Sequence, residues 1–174
     1  MQKLIFILSL LLINVQNFET EEIQNGISID ENLSLKVKVI GIKDGDTVEV
    51  LYYQLPFTIR LEHIDAPEKK QAFGTVSKKK LSDLCFGKMV TIVSKNKKGN
   101  YDRNGRMIAE IFLENGTNIN KEMVKAGLAW HFKKYSKDRS YSDVEILAKK
   151  SKLGLWQDQN AIAPWEFRQN KKPK

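Results

Sequence analysis

Cysteine and histidine are scarce in this chain of 174 residues, which contains one cysteine and two histidines. A single cysteine allows no disulfide within the chain, and so few cysteines and histidines disfavour a zinc site. Cys85 lies beside Leu81 and Leu84 in a helix-like stretch, where a buried and unreactive thiol is expected. We therefore assign no chemistry to Cys85.

Long hydrophobic runs are also rare, and the one that stands out occupies residues 4–13. It follows Lys3 and is shorter than the roughly 20 residues that span a bilayer, which is typical of a signal-peptide core. No small-x-small cleavage site follows it. We predict a signal peptide or N-terminal anchor over residues 1–18, followed by a polar acidic linker over residues 19–34. The predicted location is therefore secreted or cell-envelope.

Acidic residues are outnumbered, with 21 against 29 basic residues and a net charge of +8. The first 35 residues contain one lysine and five acidic residues, so the remaining 28 basic and 16 acidic residues make the rest of the chain strongly basic. A domain of this charge attracts polyanions, of which nucleic acid is the commonest. An acidic membrane surface or simple solubility would produce the same charge.

The hydrophobic pattern predicts strands first and helices later. Alternating apolar residues, turn residues and helix-compatible spacing mark the elements. The predicted strands are Leu35–Ile42, Thr47–Tyr53, Phe57–Ile64, Met89–Ser94 and Met107–Leu113, and the first predicted helix is Thr75–Cys85. In the third strand the alternation directs Arg60 away from the apolar face.

Two further helices follow from capping patterns. Asn120 is the predicted N-cap of a short helix that ends at Gly127, with Ile119 and Val124 as its hydrophobic staple. Ser142 and Glu145, three residues apart, predict a capping box at the start of a last helix that ends near Gly154.

Three strands, a helix, two strands and then helices is the element order of an OB barrel. We predict a mainly β protein of the α+β class, with a five-stranded OB-type barrel and about three helices. The domain is predicted to cover residues 35–168, with a basic tail over residues 169–174. A generic α+β sheet is the alternative that this pattern leaves open.

Three segments of the chain together form a distinctive set of motifs. They are Ile42–Thr47 (IKDGDT), Ile59–Glu68 (IRLEHIDAPE) and Asp102–Arg106 (DRNGR). In these segments the chain resembles the staphylococcal nuclease (thermonuclease) family, and the likeness continues through Ala126–Trp130 to Gly154–Trp156. It covers roughly residues 36–168, and three blocks in order are more specific than any one of them.

The resemblance implies a calcium-dependent nuclease and assigns roles to particular residues. It implies that Asp46, Asp65 and the backbone carbonyl of Ala66 bind Ca²⁺, where the family often has threonine in place of Ala66. It implies that Glu68 is the general base and that Arg60 and Arg106 bind the phosphate. Without the resemblance, these residues would be interpreted as turn, loop and surface side chains.

This residue set suits phosphodiester hydrolysis. The reaction needs a water made nucleophilic and neutralisation of charge on the phosphate oxygens. Carboxylates, guanidinium groups and a hard divalent ion supply those functions. We therefore predict an endonuclease that acts as a monomer on DNA and RNA and, as in the family, leaves 3'-phosphate and 5'-hydroxyl ends.

Substrate contacts beyond the phosphate are predicted from basic and aromatic residues. The candidates are Lys97, Lys98, Arg103, Lys133, Lys134, Trp130, His131, Phe132 and Tyr135. A core position for Trp130 and Phe132 is an equally good interpretation. Asn104 occupies a position where the founding nuclease has an aromatic residue, so nucleotide contacts there are expected to differ.

Two other functions are compatible with parts of the sequence. A catalytically silent nucleic-acid-binding OB module would lack the acidic and arginine residues, all five of which are present here. A metal-free ribonuclease would use His63 and His131 as acid and base. That hypothesis is weak, because His63 is expected to be an ordinary strand residue with nothing linking it to His131.

Overall fold

The computed structural model describes residues 32–170. The predicted signal segment of residues 1–18, residues 19–31 of the predicted linker and residues 171–174 of the predicted tail lie outside the described part. Among the described residues, no helix has the length and apolar character needed to cross a membrane.

Eight strands and four α-helices make up the described chain. In chain order they are β1 (Leu33–Ile42), β2 (Thr47–Tyr52), β3 (Leu55–Leu61), β4 (Ile64–Asp65), α1 (Gly74–Cys85), β5 (Met89–Ser94), β6 (Asn100–Tyr101), β7 (Met107–Phe112), α2 (Ile119–Lys125), β8 (Trp130–His131), α3 (Arg139–Lys150) and α4 (Pro164–Asn170), with a short 3₁₀ helix (Gly154–Gln157) before α4.

Five of the strands close into a barrel. The sheet order is β3-β2-β1-β5-β7, with β6 added beside β7, and the parallel pairing of β3 with β7 joins the two ends. That pairing sets Ile59 opposite Met107 and Leu61 opposite Ala109. The predicted mainly β, OB-type barrel is therefore confirmed.

The barrel interior is filled as the alternation predicts. Val37 and Val39 of β1 are fully buried, and the lysines between and before them are exposed. Burying a side chain of this size contributes roughly 1.5–3 kcal/mol, which stabilises β1 against the barrel interior. In α1, Cys85 is buried and donates to Leu81 O, and burial raises the pKa of its thiol to about 12, which keeps it unreactive.

Both predicted helix starts are wrong. The N-cap of α2 is Asn118, whose side chain accepts from Lys121 N, and Asn120 lies inside the helix. The N-cap of α3 is Asp138, which accepts from Ser140 N, so Ser142 and Glu145 also lie inside their helix. In each case the true N-cap lies a few positions before the predicted one. The side chain of the predicted cap makes a tertiary contact instead.

The third strand ends earlier than predicted. β3 stops at Leu61, and Glu62 and His63 form a turn in which His63 has the left-handed φ of 69°. β4 then begins at Ile64 and pairs with β8, with Ile64 opposite His131. This turn separates the segment that carries Asp65 from the barrel strand that carries Arg60.

Helix α4 was not predicted. It begins with the buried Pro164, which suits the first position of a helix, where the backbone N–H has no partner within the helix. Its seven residues are too few to show a clear apolar period.

Gly45 allows the turn between β1 and β2 to pack closely against α1. A Cβ on Gly45 would lie 2.0 Å from Ser77 Oγ and 2.8 Å from the Cβ of Ala66. Ser77 is itself fixed, because its hydroxyl donates to Leu128 O at 2.7 Å. The close packing of Gly45 holds the β1–β2 turn, and with it Asp46, against the segment that contains Ala66.

Candidate active site

Asp46 is buried where the first turn meets β2. Its Oδ2 accepts from Ala66 N at 2.7 Å and its Oδ1 accepts from Thr47 Oγ1 at 3.0 Å, while Asp46 N donates to Asp44 Oδ1. Burial raises the pKa of Asp46 to about 7; Arg60 opposes this shift, and the carboxylates of Asp44 and Asp65 add to it. Asp46 therefore binds a proton more readily than an exposed aspartate, chiefly because burial disfavours its charged form.

Arg60 joins the two predicted metal ligands. Its Nη1 lies 3.2 Å from Asp46 Oδ2 and its Nη2 lies 2.9 Å from Asp65 Oδ1. The same Nη1 donates to the carbonyl oxygens of Leu61 and Ile64, at 3.1 and 3.0 Å. Because backbone oxygens and carboxylates both hold the guanidinium, its orientation is set before any phosphate arrives.

Glu68 lies at the open side of this cluster. Its side chain is 40% exposed, whereas that of Asp65 is only 1% exposed. Glu68 N donates to Gln71 Oε1 at 3.1 Å, which shapes the loop after Pro67. The predicted general base is thus the site carboxylate that water can reach most readily.

Arg106 approaches the cluster from the turn between β6 and β7. Its Nε and Nη2 donate to Asp102 Oδ2 at 2.8 and 2.7 Å, and its Nη1 lies 3.4 Å from Thr47 Oγ1. Thr47 in turn donates to Asp46. The two predicted phosphate-binding arginines therefore border the same buried carboxylate, Arg60 directly and Arg106 through Thr47.

The structure adds a third arginine that sequence analysis missed. Arg168 of α4 donates from Nη1 and Nη2 to Asp65 Oδ1 and Oδ2, at 3.2 and 2.7 Å, and from Nη1 to Glu68 Oε1 at 2.8 Å. The hydrogen bond to Asp65 is the main reason that the pKa of Arg168 lies above its ordinary value. No pattern in the sequence links this residue to Glu68, a hundred positions earlier.

Two carboxylates of this site are available to a hard divalent cation. Asp46 and Asp65 both contact the guanidinium of Arg60, at 3.2 and 2.9 Å, and carboxylate oxygens are ligands that such a cation takes. Residues 32–170 contain no group of three or more His, Cys, Asp or Glu side chains that could hold a metal ion. Calcium takes six to eight oxygens, so the Ala66 carbonyl and water would have to complete the set.

Most of the aromatic side chains predicted to stack on bases pack against other aromatic side chains of this chain instead. The rings of Phe132 and Trp165 stack with centroids 5.2 Å apart, and Trp130 meets Trp156 and Trp165 edge to face. Of the four predicted aromatic side chains, His131 is buried, Trp130 and Phe132 are half-buried and Tyr135 is exposed. Tyr135 is therefore the one that remains most accessible to a base.

The basic candidates for substrate contact are all on the surface. They are Lys97, Lys98, Arg103, Lys133 and Lys134. Asn104 is also exposed, in the turn that Asp102 organises by accepting from its backbone N–H.

The two histidines are closer together than expected. His63 Nδ1 and His131 Nε2 each lie 2.8 Å from the hydroxyl of Ser136, so one serine links them. His131 is 3% exposed and the side chain of His63 is 9% exposed. A substrate could not readily reach this pair, which disfavours the metal-free ribonuclease for a reason that the sequence did not supply.

Comparison with known proteins identifies the family. Residues 58–158 match the family model of staphylococcal nuclease homologues. An uncharacterized endonuclease of Haemophilus influenzae is 43% identical over 136 residues, covering 78% of this chain and 74% of that protein. A micrococcal nuclease of Shigella flexneri is 35% identical over 156 residues, covering 84% of this chain and 87% of that protein. The chain therefore belongs to the staphylococcal nuclease homologues.

Proposed function

We propose that this chain is a calcium-dependent endonuclease that hydrolyses phosphodiester bonds in DNA and RNA and leaves 3'-phosphate and 5'-hydroxyl ends. Family membership supports the endonuclease activity. The observation that best supports the finer mechanism is the meeting of Asp46 and Asp65 at the guanidinium of Arg60, with Glu68 at the open side.

Asp46, Asp65 and the carbonyl of Ala66 are the proposed calcium-binding groups. When bound, calcium would supply positive charge to a phosphate oxygen and lower the pKa of a water. Both carboxylates are nearly buried, so few water molecules compete for their charge.

Glu68 is the proposed base. Its exposed carboxylate can accept a proton from a water that attacks phosphorus, and the hydrogen bond from Arg168 orients it. The proton moves from the water oxygen to a Glu68 oxygen as the new phosphorus–oxygen bond forms. The bond from phosphorus to the 5' oxygen breaks, and that oxygen takes a proton from solvent water and leaves as a 5'-hydroxyl.

Arg60 and Arg106 are the proposed phosphate-binding residues. The transition state carries more negative charge on its non-bridging oxygens than the substrate does, so fixed guanidinium groups stabilise it more strongly. Arg60 is held by backbone carbonyls and Arg106 by Asp102, which limits the reorganisation needed during the reaction.

The proposal is tested by digesting single-stranded DNA and RNA with the purified chain, in calcium and in a calcium chelator. We expect cutting in calcium, none in chelator, and recovery when calcium is restored, with 3'-phosphates on the new ends. Tight binding without cutting would favour the silent OB module. Cutting of RNA alone in chelator would favour the histidine hypothesis.

Variants test the base. Glu68→Gln keeps the shape of the side chain but removes its capacity to accept a proton, and we expect kcat to fall by a factor of about 10² or more. Glu114→Gln is a matched control, because Glu114 is an exposed carboxylate in the turn that follows β7. A Glu68→Gln variant with native kcat would refute the assignment of Glu68.

A further inference from the structure

Helix α4 is attached to the segment that carries Asp65 and Glu68. Gln71 accepts from Glu68 N and donates from Nε2 to Ile162 O at 2.6 Å, which ties the Glu68 loop to the residues just before α4. The ring of Trp165 stacks on Phe132 with an interplanar angle of 6°. These contacts hold α4 where Arg168 can reach the site.

Arg168 then connects two carboxylates that have different proposed tasks. It makes a bidentate contact with Asp65, the proposed metal ligand, and a single hydrogen bond with Glu68, the proposed base. Because a guanidinium is planar and rigid, it defines the angle and spacing between the groups it joins. Arg60 also donates to Asp65, at Oδ1, so Asp65 contacts two arginines.

The charge of Arg168 lies directly beside a proposed calcium ligand. Its Nη1 and Nη2 donate to both carboxylate oxygens of Asp65, the oxygens that a cation would bind. Without Arg168 one positive charge beside Asp65 is lost and Oδ2 loses its guanidinium partner, so a divalent ion would be attracted more strongly.

We propose that Arg168 is a positioning residue of the nuclease site, which holds Asp65 and Glu68 in one arrangement and weakens calcium binding in doing so. This inference rests on the proposed function, in which Asp65 binds calcium and Glu68 accepts the proton. It makes α4 part of the active site.

Replacing Arg168 should change calcium binding and turnover in opposite directions. In Arg168→Gln the positive charge is lost, so the Kd for calcium should fall by about tenfold. The fixed arrangement of Asp65 and Glu68 is lost as well, so kcat should fall about 10- to 100-fold. A purely structural role would weaken both properties together.

A second variant separates charge from geometry. Arg168→Lys keeps the positive charge, but an ammonium group cannot make both the bidentate contact with Asp65 and the contact with Glu68 in the same geometry. We expect its Kd for calcium to stay near the native value, while kcat falls as in Arg168→Gln.

The experiment uses the full chain. Calcium is titrated calorimetrically without nucleic acid, and hydrolysis of a single-stranded DNA oligonucleotide is measured at saturating calcium. Circular dichroism and urea unfolding check the fold of each variant. Arg139→Gln is the control, because it removes an exposed arginine for which the structure records no contact with the site.

The outcomes are distinct. An Arg168→Gln variant with unchanged or weaker calcium binding, or with native or higher kcat, would overturn the positioning role while the native chain remained an active nuclease. A native chain that binds calcium but cuts no nucleic acid would overturn the proposed function and the inference with it.

Discussion

Asp102 determines how Arg106 is presented to the site. Its Oδ2 accepts from the guanidinium, and its Oδ1 accepts from the backbone N–H groups of Asn104 and Arg106. Partial burial acts to raise the pKa of Asp102, but these hydrogen bonds outweigh it and the pKa lies below its ordinary value. Asp102 is therefore a carboxylate partner that stays ionised at neutral pH.

The first prediction concerns Asp102→Asn, which keeps an oxygen for the turn but removes the charge that orients Arg106. We expect kcat/KM for single-stranded DNA to fall about 10- to 100-fold, with little loss of stability. Steady-state hydrolysis measures the effect. Asp83→Asn removes the same charge from an exposed ion pair with Lys79 and should retain native activity. Equal activities in the two variants would show that Asp102 does not position Arg106.

At the scale of elements, the amide side chain of Asn120 links α2 to the barrel by hydrogen bonds. Asn120 is fully buried, accepts from Ile111 N at 3.1 Å, and donates to Glu62 O and Ala109 O at 3.0 and 3.2 Å. These hydrogen bonds link α2 to β7 and to the turn that leads to β4. This explains why a residue that looks like a cap lies inside the helix.

The second prediction is that Asn120→Ala lowers the free energy of unfolding by about 2–4 kcal/mol. The substitution takes hydrogen-bond partners from buried backbone groups and leaves a small cavity. Urea unfolding measures the loss, and Asn160→Ala, at an exposed position, should change stability by less than about 0.5 kcal/mol. If Asn120→Ala lowered the free energy of unfolding no more than the control does, the Asn120 hydrogen bonds would not stabilise the contact between α2 and the barrel.

A histidine network connects β8, α3 and the turn before β4. His131 contacts Ser136 through Nε2 and Ser142 through Nδ1, and Ser136 also contacts His63. Burial is the main reason that the pKa of His131 is lowered; Lys133 and His63 add to the effect, and Glu145 opposes it. The folded protein therefore favours the neutral imidazole.

The third prediction follows from that shift. The unfolded chain, with an ordinary histidine pKa of about 6.5, binds a proton that the folded chain resists, so the contribution of His131 to stability is lost as pH falls below that value. Urea unfolding at pH 7.5 and pH 5.0 should show a smaller acid-induced loss for His131→Gln than for the native chain. Equal losses in the two proteins would exclude His131 as a source of acid sensitivity.

At the scale of the whole molecule, the basic charge beyond residue 35 should govern substrate capture. Binding that releases counterions from a nucleic acid weakens as salt rises, by a slope of about 0.7 per phosphate contact for single strands. Chemistry within the site should depend less on salt, because the carboxylates of Asp46 and Asp65 are buried.

The fourth prediction is that KM for single-stranded DNA rises with salt while kcat changes little. Replacing Lys97 and Lys98 together by Gln should reduce the slope of log KM against log salt by about 1.4, because two phosphate contacts are lost. The control replaces Lys79 and Lys125, whose amines are paired with Asp83 and Glu122. Identical slopes in the two double variants would remove Lys97 and Lys98 from the binding surface.

The barrel could be predicted from the sequence because each strand is marked by a local pattern. Alternation along β1, β5 and β7 follows directly from which face of a strand is buried, and the turns are marked by their own residues. The helix starts were less predictable, because asparagine and serine are equally suited to a cap and to a buried polar contact. Asn120 and Ser142 have the second role, which depends on neighbours far away in the chain.

The sequence by itself determined the order of strands and helices, the basic charge and the motif blocks that contain Asp46, Arg60, Asp65, Glu68 and Arg106. Only the tertiary structure decided that Arg168 joins them. Isolated helices as short as α4 are marginal in water, so the position of Arg168 depends on the packing of Trp165 against Phe132. That packing brings together side chains a hundred residues apart, and no local pattern records such a contact.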